Sequence, residues 1–162
     1  MFRLAEANDA TRILAIYNQV IDRRTVTADL QPATLESRNA WFNLHLTSTK
    51  YPLWVYELDG EVVAWCSYSQ FYSRSAYDGS AEISFYLDQA IHGKGIGKQC
   101  VQFLIEQMPH YQLHTLLAFV FGNNSQSLGL LNRMGFEPWG TLPRVADMQD
   151  HFEDLVILGY KR

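Results

Sequence analysis

Apolar residues recur along this chain at two spacings, alternate positions and every third or fourth position, and the changes between them mark out its elements. Phe2, Leu4 and Ala5 open as a short strand. Ile13, Ile16, Tyr17 and Val20 then fall at helical spacing, with Asn8 as the expected N-cap. A second helix is expected after Pro32 and Thr34, its stripe made by Leu35, Trp41, Phe42 and Leu46. Residues 53–58 and 61–68 flank Asp59-Gly60, a pair suited to the positive φ angles of a type I′ turn, and read as a hairpin. A polar, aromatic loop over 69–80 leads to a strand over 81–87. A Gly-rich segment, 92–97, opens a helix carrying Ile96, Val101, Leu104 and Ile105, which Pro109 closes. Residues 115–121 read as a buried strand and 124–134 as a helix with Gly135 as its left-handed C-cap. Strands around 136–142 and 152–160 finish the chain. The succession predicts an α+β fold of mostly antiparallel strands. With no repeat or linker-like stretch, it predicts a single domain over 1–162.

Composition narrows the picture. The chain has 162 residues, 48% hydrophobic and 14% aromatic, which excludes intrinsic disorder and suffices for a core without disulfides or metals. Thirteen Lys+Arg against 17 Asp+Glu give a net charge of −4, so no basic surface points to nucleic acid. No apolar run reaches the roughly 18–20 residues that cross a bilayer. Arg3, Glu6 and Asp9 interrupt the N-terminus where a secretory signal would have its apolar stretch. Cys66 and Cys100 are too few for a disulfide scaffold, and His45, His110, His114 and His151 lack metal-ligand spacing. A cytoplasmic location and no metal are expected.

The sharpest local feature is a strand, a short turn, and His92-Gly93-Lys94-Gly95-Ile96-Gly97-Lys98 running into a helix. A helix N-terminus offers unpaired N–H groups and partial positive charge, and glycines let that backbone approach a pyrophosphate. The plain alternative is a Gly-rich turn with no ligand. Two nucleotide loops are excluded. The Rossmann fingerprint requires Gly-x-Gly-x-x-Gly early in a βαβ unit, whereas these glycines fall at 93, 95 and 97. The Walker pattern requires Gly-Lys followed by Ser or Thr, but Lys94 precedes Gly95 and Lys98 precedes Gln99.

The segment from His92 to Gly97 resembles the acyl-CoA loop, Arg/Gln-x-x-Gly-x-Gly/Ala, of the GNAT family of N-acetyltransferases. The resemblance extends to Asn124-Ser-Gln-Ser127, which opens the helix that ends at Met134-Gly135-Phe136. Further marks resemble the branch containing phosphinothricin acetyltransferases and L-amino-acid N-acyltransferases. They are Ile16-Tyr17-Asn18, Trp41-Phe42, Phe71-x-x-Arg74-x-x-Tyr77, Glu82-x-Ser84-x-Tyr86 and Asp154 before the last apolar strand. Together they cover residues 2–158. The resemblance implies a central, mixed, mostly antiparallel splayed sheet of about seven strands with about four helices. It also implies acetyl-CoA as cosubstrate and a homodimer.

Residue by residue, the resemblance implies that Phe85, Tyr86 and Leu87 offer strand backbone to the pantetheine arm, as an added β-strand would accept it. Gly93, Lys94, Gly95, Ile96, Gly97 and Lys98 would cradle the pyrophosphate. Asn124, with Ser127, would meet the pantetheine, a role compatible with ordinary N-capping. Glu82 would be general base, its alternative being a carboxylate turned to solvent. The acceptor would be the primary amine of a small amino-acid-like molecule, attacking the thioester directly in a ternary complex. An α-amine titrates near about 7.7–8 and must be neutral to attack, so a carboxylate base helps. The Leu87 N–H is the candidate to meet charge growing on the thioester oxygen. Arg74 would hold an acceptor carboxylate, its alternative being a surface charge, and Phe71 and Tyr77 would line the acceptor pocket.

Some positions depart from the branch. His92 replaces the usual Arg or Gln, and Leu131 stands where relatives often carry a Tyr or His that protonates the departing thiolate. Met148 and Phe152 replace Lys and Trp, and Ala28 replaces an aromatic residue. Cys66 and Cys100 read as buried, inert thiols. Two rivals accompany the small-molecule reading: a peptide or protein N-acetyltransferase, and a non-catalytic acyl-CoA-binding module.

Overall fold

Asp59 and Gly60 adopt φ of 53° and 84°, the two positive values a type I′ turn needs, and they join β2 (Leu53–Leu58) to β3 (Glu61–Gln70). That hairpin seeds a seven-stranded sheet in a computed structural model that describes residues 1–162. The remaining strands are β1 (Phe2–Leu4), β4 (Ser80–Leu87), β5 (Thr115–Phe121), β6 (Glu137–Asp147) and β7 (Phe152–Lys161). The spatial order is β1-β2-β3-β4-β5-β7-β6. Every neighbouring pair is antiparallel except β4 and β5.

Four α-helices cover the two faces. On one side lie α1 (Ala10–Asn18) and α2 (Leu35–Thr47), where Ile13, Ile16 and Phe42 pack on Val55 and Trp65. On the other, α3 (Ile96–Gln107) and α4 (Ser125–Arg133) bury Cys100, Leu104 and Leu131 against Ile83, Leu116 and Leu158. Truncating one such side chain to Ala costs about 2–5 kcal/mol. Cys66 and Cys100 meet between β3 and α3; both are fully buried, and burial pushes the Cys66 thiol up, consistent with inert thiols.

Several local expectations hold and others shift. Thr34 caps α2, its Oγ1 accepting from the Ser37 N–H at 3.1 Å, and Gly135 takes φ of 89° after α4. Asn8 is not the cap of α1. Glu6 and Asp9 form a capping box around a 3-10 turn, Ala7–Asp9, that leads into the helix, and Arg3 fixes Asp9 through two bonds at 2.7 and 2.9 Å. On α2, Leu35 is exposed, while His45 is buried with its ring nitrogens on the Trp41 and Tyr68 carbonyls. β6 runs five residues beyond the expected 142, because register shifts absorb Trp139 and residues 143–145 at the sheet edge. No helix is long and apolar enough to cross a membrane.

The feature that positions the site is a short pairing. β4 and β5 are in register only at Ser80↔Thr115, Ala81↔Leu116 and Glu82↔Leu117. Beyond Glu82, β4 stays with β3 as far as Leu87, and β5 stays with β7 as far as Phe121. The sheet therefore splays open in its middle.

Candidate active site

Strand alternation decides which main-chain groups face this opening. The Asp88 N–H donates to the Val63 carbonyl at 2.8 Å, so alternate residues back along β4, Tyr86 and Ser84, also turn their main chain towards β3. Phe85 and Leu87 turn theirs the other way, into the gap. The Leu87 carbonyl accepts from His92 Nε2 at 3.3 Å, which ties the Gly-rich loop to the strand end and leaves the Leu87 N–H facing the opening. Of the expected strand contacts, Phe85 and Leu87 thus present backbone. Tyr86 contributes its ring, stacked on Trp65 at 4.7 Å.

The loop continues this surface of donors. Gly93 and Gly95 both sit at φ of 79°, where L side chains are strained, and a Cβ on either would meet no atom within 4 Å. Packing therefore does not demand these glycines; backbone conformation and open approach do. Gly97 differs, since its Cβ would come within 3.3 Å of Leu130 where α3 and α4 close together. The first backward bond of α3 is Gln99 N–H to Gly95 O at 3.2 Å, so the N–H groups of Ile96, Gly97 and Lys98 have no carbonyl partner. Across the gap, Asn124 Oδ1 accepts from the Ser127 N–H at 3.1 Å and caps α4, leaving Nδ2 as a donor.

These groups line one cleft of about 340 Å³. It gathers Phe85, Tyr86, Leu87, His92, Gly93, Gly95, Ile96, Gly97, Lys98, Asn124 and Ser127, nearly the whole set expected from the sequence. Lys94 is the exception; it is exposed and outside the lining. The fold adds Arg23, Val26, Gln126 and Arg133, which the sequence analysis missed. Arg23, Lys98 and Arg133 bring three cations, and no Asp or Glu lines the cleft. In a chain of net charge −4 this local excess suits a polyanion.

A smaller cavity of about 110 Å³ adjoins the cleft and shares Val26, Phe85, Tyr86, Asn124 and Ser127 with it. Glu82 lies on its wall, at the point where β4 and β5 part. Burial alone holds the Glu82 carboxyl above its ordinary value. A half-buried carboxyl with no cationic partner, held above its ordinary value, is suited to act as a base. Leu131 faces the same cavity, so this position of α4 brings no acid to it.

The acceptor residues expected from the aromatic loop lie further out. Phe71 stacks on Phe119 at 6.3 Å, Phe119 lines the Glu82 cavity, and Tyr77 meets Phe71 edge-on at 5.7 Å. Phe71 thus stands one ring behind the cavity wall and Tyr77 two. Arg74 is exposed at the start of a 3-10 turn, Ser75–Tyr77, and lines none of these cavities.

Residues 2–157 match the family described as an acetyltransferase (GNAT) domain. YwnH of Bacillus subtilis (strain 168), provisionally named a phosphinothricin acetyltransferase, is 44% identical over 158 residues, 97% of this chain and 96% of its own. The L-methionine sulfoximine/L-methionine sulfone acetyltransferase of Pseudomonas paraeruginosa (strain DSM 24068 / PA7) is 34% identical over 157 residues, 96% of this chain and 91% of that one. A GNAT superfamily phosphinothricin acetyltransferase from Sinorhizobium meliloti, solved in complex with AcCoA, superposes with a TM-score of 0.89. It is 26% identical, over 99% of this chain and 87% of that chain. The chain belongs to the GNAT family and is an N-acetyltransferase.

Proposed function

We propose that the protein transfers the acetyl group of acetyl-CoA to the primary amine of a small amino-acid-like acceptor, by direct attack within a ternary complex. The observation that carries this reading is the opening of the sheet at Glu82, which sets a cationic, donor-lined cleft beside a half-buried carboxyl. The cleft fits the cofactor on its own terms: free N–H groups at the start of α3, two positive-φ glycines and three cations suit a pyrophosphate. When bound, acetyl-CoA supplies an activated thioester. The gap-facing main chain of Phe85 and Leu87 receives the pantetheine arm as a strand edge receives an added strand. Asn124 Nδ2 and the rim at Ser127 steady it from α4. The Leu87 N–H meets charge developing on the thioester oxygen. Glu82, directly or through water, takes one proton from the incoming ammonium; as the N–C bond forms and the C–S bond breaks, the second proton leaves the nitrogen to solvent, and solvent protonates the thiolate, since Leu131 cannot.

Arg74, Phe71 and Tyr77 shape the outer approach for the acceptor, with Arg74 free to meet its carboxylate. The names of the relatives, which act on phosphinothricin or methionine sulfoximine, support an acceptor of this class. The same reading takes residues 1–162 as one domain acting in the cytoplasm without a metal or nucleic acid, and working as a homodimer. Trp139, Leu142 and Phe152, exposed on the edge hairpin, support pairing of two copies, which sedimentation tests.

Glu82→Gln tests the catalytic assignment. It should leave CoA affinity unchanged and lower turnover by about 10²–10⁴ in a thiol-release assay. The acidic limb of the pH–rate profile, which falls as pH drops through the raised Glu82 value, should flatten with it. Unchanged turnover at neutral pH returns Glu82 to a structural role.

A further inference from the structure

Beyond Glu82 the splayed sheet leaves β4 with a neighbour on one edge only, and residues 83–87 are held by β3 alone. An interior strand has its peptide planes fixed by ladders on both edges; this stretch has one. Strands fray from their ends, and Leu87 is the last residue of β4.

Two side chains from the α1 segment supply a hold that the missing ladder does not. Arg12 Nη2 donates to Asp88 Oδ2 at 2.6 Å, and Arg12 Nε donates to the Val62 carbonyl at 2.8 Å, so one guanidinium bridges β3 and the residue after β4. Gln19, just past the end of α1, donates to the same Asp88 oxygen at 3.3 Å. Its side-chain carbonyl accepts from the Gln89 N–H, and its main-chain carbonyl accepts from Gln89 Nε2, both at 2.9 Å. The other Asp88 oxygen, Oδ1, accepts from the Ala90 N–H at 2.8 Å and opens a 3-10 turn, Gln89–Ile91, towards the Gly-rich loop. With the Asp88 N–H on the Val63 carbonyl, residue 88 is fixed by main chain and side chain alike. The Ala90 N–H first, then Arg12 and Gln19, hold the Asp88 carboxyl below its ordinary value, so it stays ionised across the neutral range.

We propose that Arg12, Gln19 and Asp88 are positioning residues for the transfer step, a clamp that aims the Leu87 N–H at the thioester oxygen. The inference rests on the reading above, in which that N–H meets the developing charge. None of the three lines the cofactor cleft, and none touches a reacting atom; they act through Leu87, one peptide away from Asp88. The donors for the pyrophosphate lie elsewhere, at Ile96, Gly97 and Lys98, and their directions follow from the start of α3. Loosening the clamp therefore takes more from turnover than from cofactor affinity. Misplacing a reacting geometry by an ångström costs about 10²-fold, and the β3 ladder still holds part of it here, so about tenfold is expected.

The test follows the Leu87 amide by NMR in leucine-labelled protein as acetyl-CoA is added. In wild type its proton should move downfield as it bonds the thioester oxygen. In Arg12→Met at saturation the movement should be less than about half as large, because hydrogen bonds weaken steeply with angle. CoA affinity by calorimetry should stay within about threefold of wild type. With L-methionine sulfone, on which a relative acts, kcat in a thiol-release assay should fall about tenfold in Arg12→Met. It should fall only about threefold in Arg12→Lys, whose single head group reaches Asp88 but not Val62 as well. Asp88→Asn keeps an oxygen for Ala90 and removes the charge that holds Arg12. Combined with Arg12→Met, it should be no slower than Arg12→Met alone. An amide that moves in Arg12→Met as it does in wild type overturns the clamp, and so does a double variant whose losses multiply. Affinity lost as far as kcat, in step with a lower melting temperature, makes these residues structural and also overturns it. A Leu87 amide unmoved in saturated wild type overturns the reading of Leu87 itself, and the clamp falls with it. Should this acceptor release no thiol, the spectra decide alone.

Discussion

The wall proposed for the cofactor is largely main chain, while the wall proposed for the acceptor is largely side chain. On the first, Phe85, Leu87 and residues 96–98 present N–H groups whose directions follow from one strand and one helix start. On the second, Glu82, Phe119 and Val26 come from β4, β5 and a loop, with Phe71 and Tyr77 behind them from another. Backbone geometry holds through most side-chain changes; a side-chain constellation is remade by each one. One scaffold can thus keep its donor and vary its acceptor.

Substitutions can break or sharpen this contrast. The largest effect is expected at Gly95, where Asp brings a carboxylate to a positive-φ backbone facing the proposed pyrophosphate site. Like charges about 4 Å apart in a partly desolvated site repel by about 4 kcal/mol, so CoA affinity should fall about a thousandfold by calorimetry. Equal affinity would remove the loop from the cofactor wall. Next come Arg23→Gln and Arg133→Gln, each expected to weaken CoA about tenfold at low salt. Because such contacts are screened, the deficit should shrink as ionic strength rises. A deficit unaffected by salt would mean that these arginines act by packing.

Leu131→Tyr probes the junction of the two walls. A thiol titrates near about 8.5, so thiolate leaves tolerably without an acid, and kcat should change by less than about tenfold. A hundredfold gain would show that the native site lacks a proton donor it needs. The smallest effect concerns stability. Burial raises the Glu82 carboxyl above its unfolded value, so ionising it costs the fold stability as pH rises through the folded value. Below the unfolded value, near about 4.3, that cost is absent. Glu82→Gln should therefore melt about one or two degrees higher at neutral pH and no differently near pH 4. A lower melting temperature at neutral pH would mean that the carboxylate stabilises the fold.

The same contrast explains what was legible beforehand. Asp59-Gly60, Thr34 and Gly135 carry their structural meaning within a few residues, and the chain behaves there as read. The Gly-rich loop was legible for that reason, since a strand, a turn and a helix start suffice to aim its donors. Asn8 misled because Arg3, on β1, recruits Asp9 and shifts the capping to Glu6. His45 was legible only as a solvated or a core histidine, because the partners that decide between these include the Tyr68 carbonyl, 23 residues away. Arg23 and Arg133 enter the cleft only through the packing of distant segments, although the clustering of Arg23 with Arg24 and the basic end of α4 were weak signals. Arg74 carries a recognisable motif, but its loop leaves it in solvent. Local chemistry reads out of sequence; side chains assembled from several loops do not.

The three-residue seam between β4 and β5 also has a meaning for lifetime. Cooperative units of a protein are joined by the interactions that cross between them, and here few backbone bonds cross the middle of the sheet. A ligand spanning the two halves binds the folded chain and not the unfolded one, adding about 2.7 kcal/mol at a hundredfold excess over its Kd. Set against a typical domain stability of about 5–15 kcal/mol, that is a substantial share. If the proposed cleft takes the acetyl donor across this seam, the concentration of that donor sets how long each molecule escapes proteolysis.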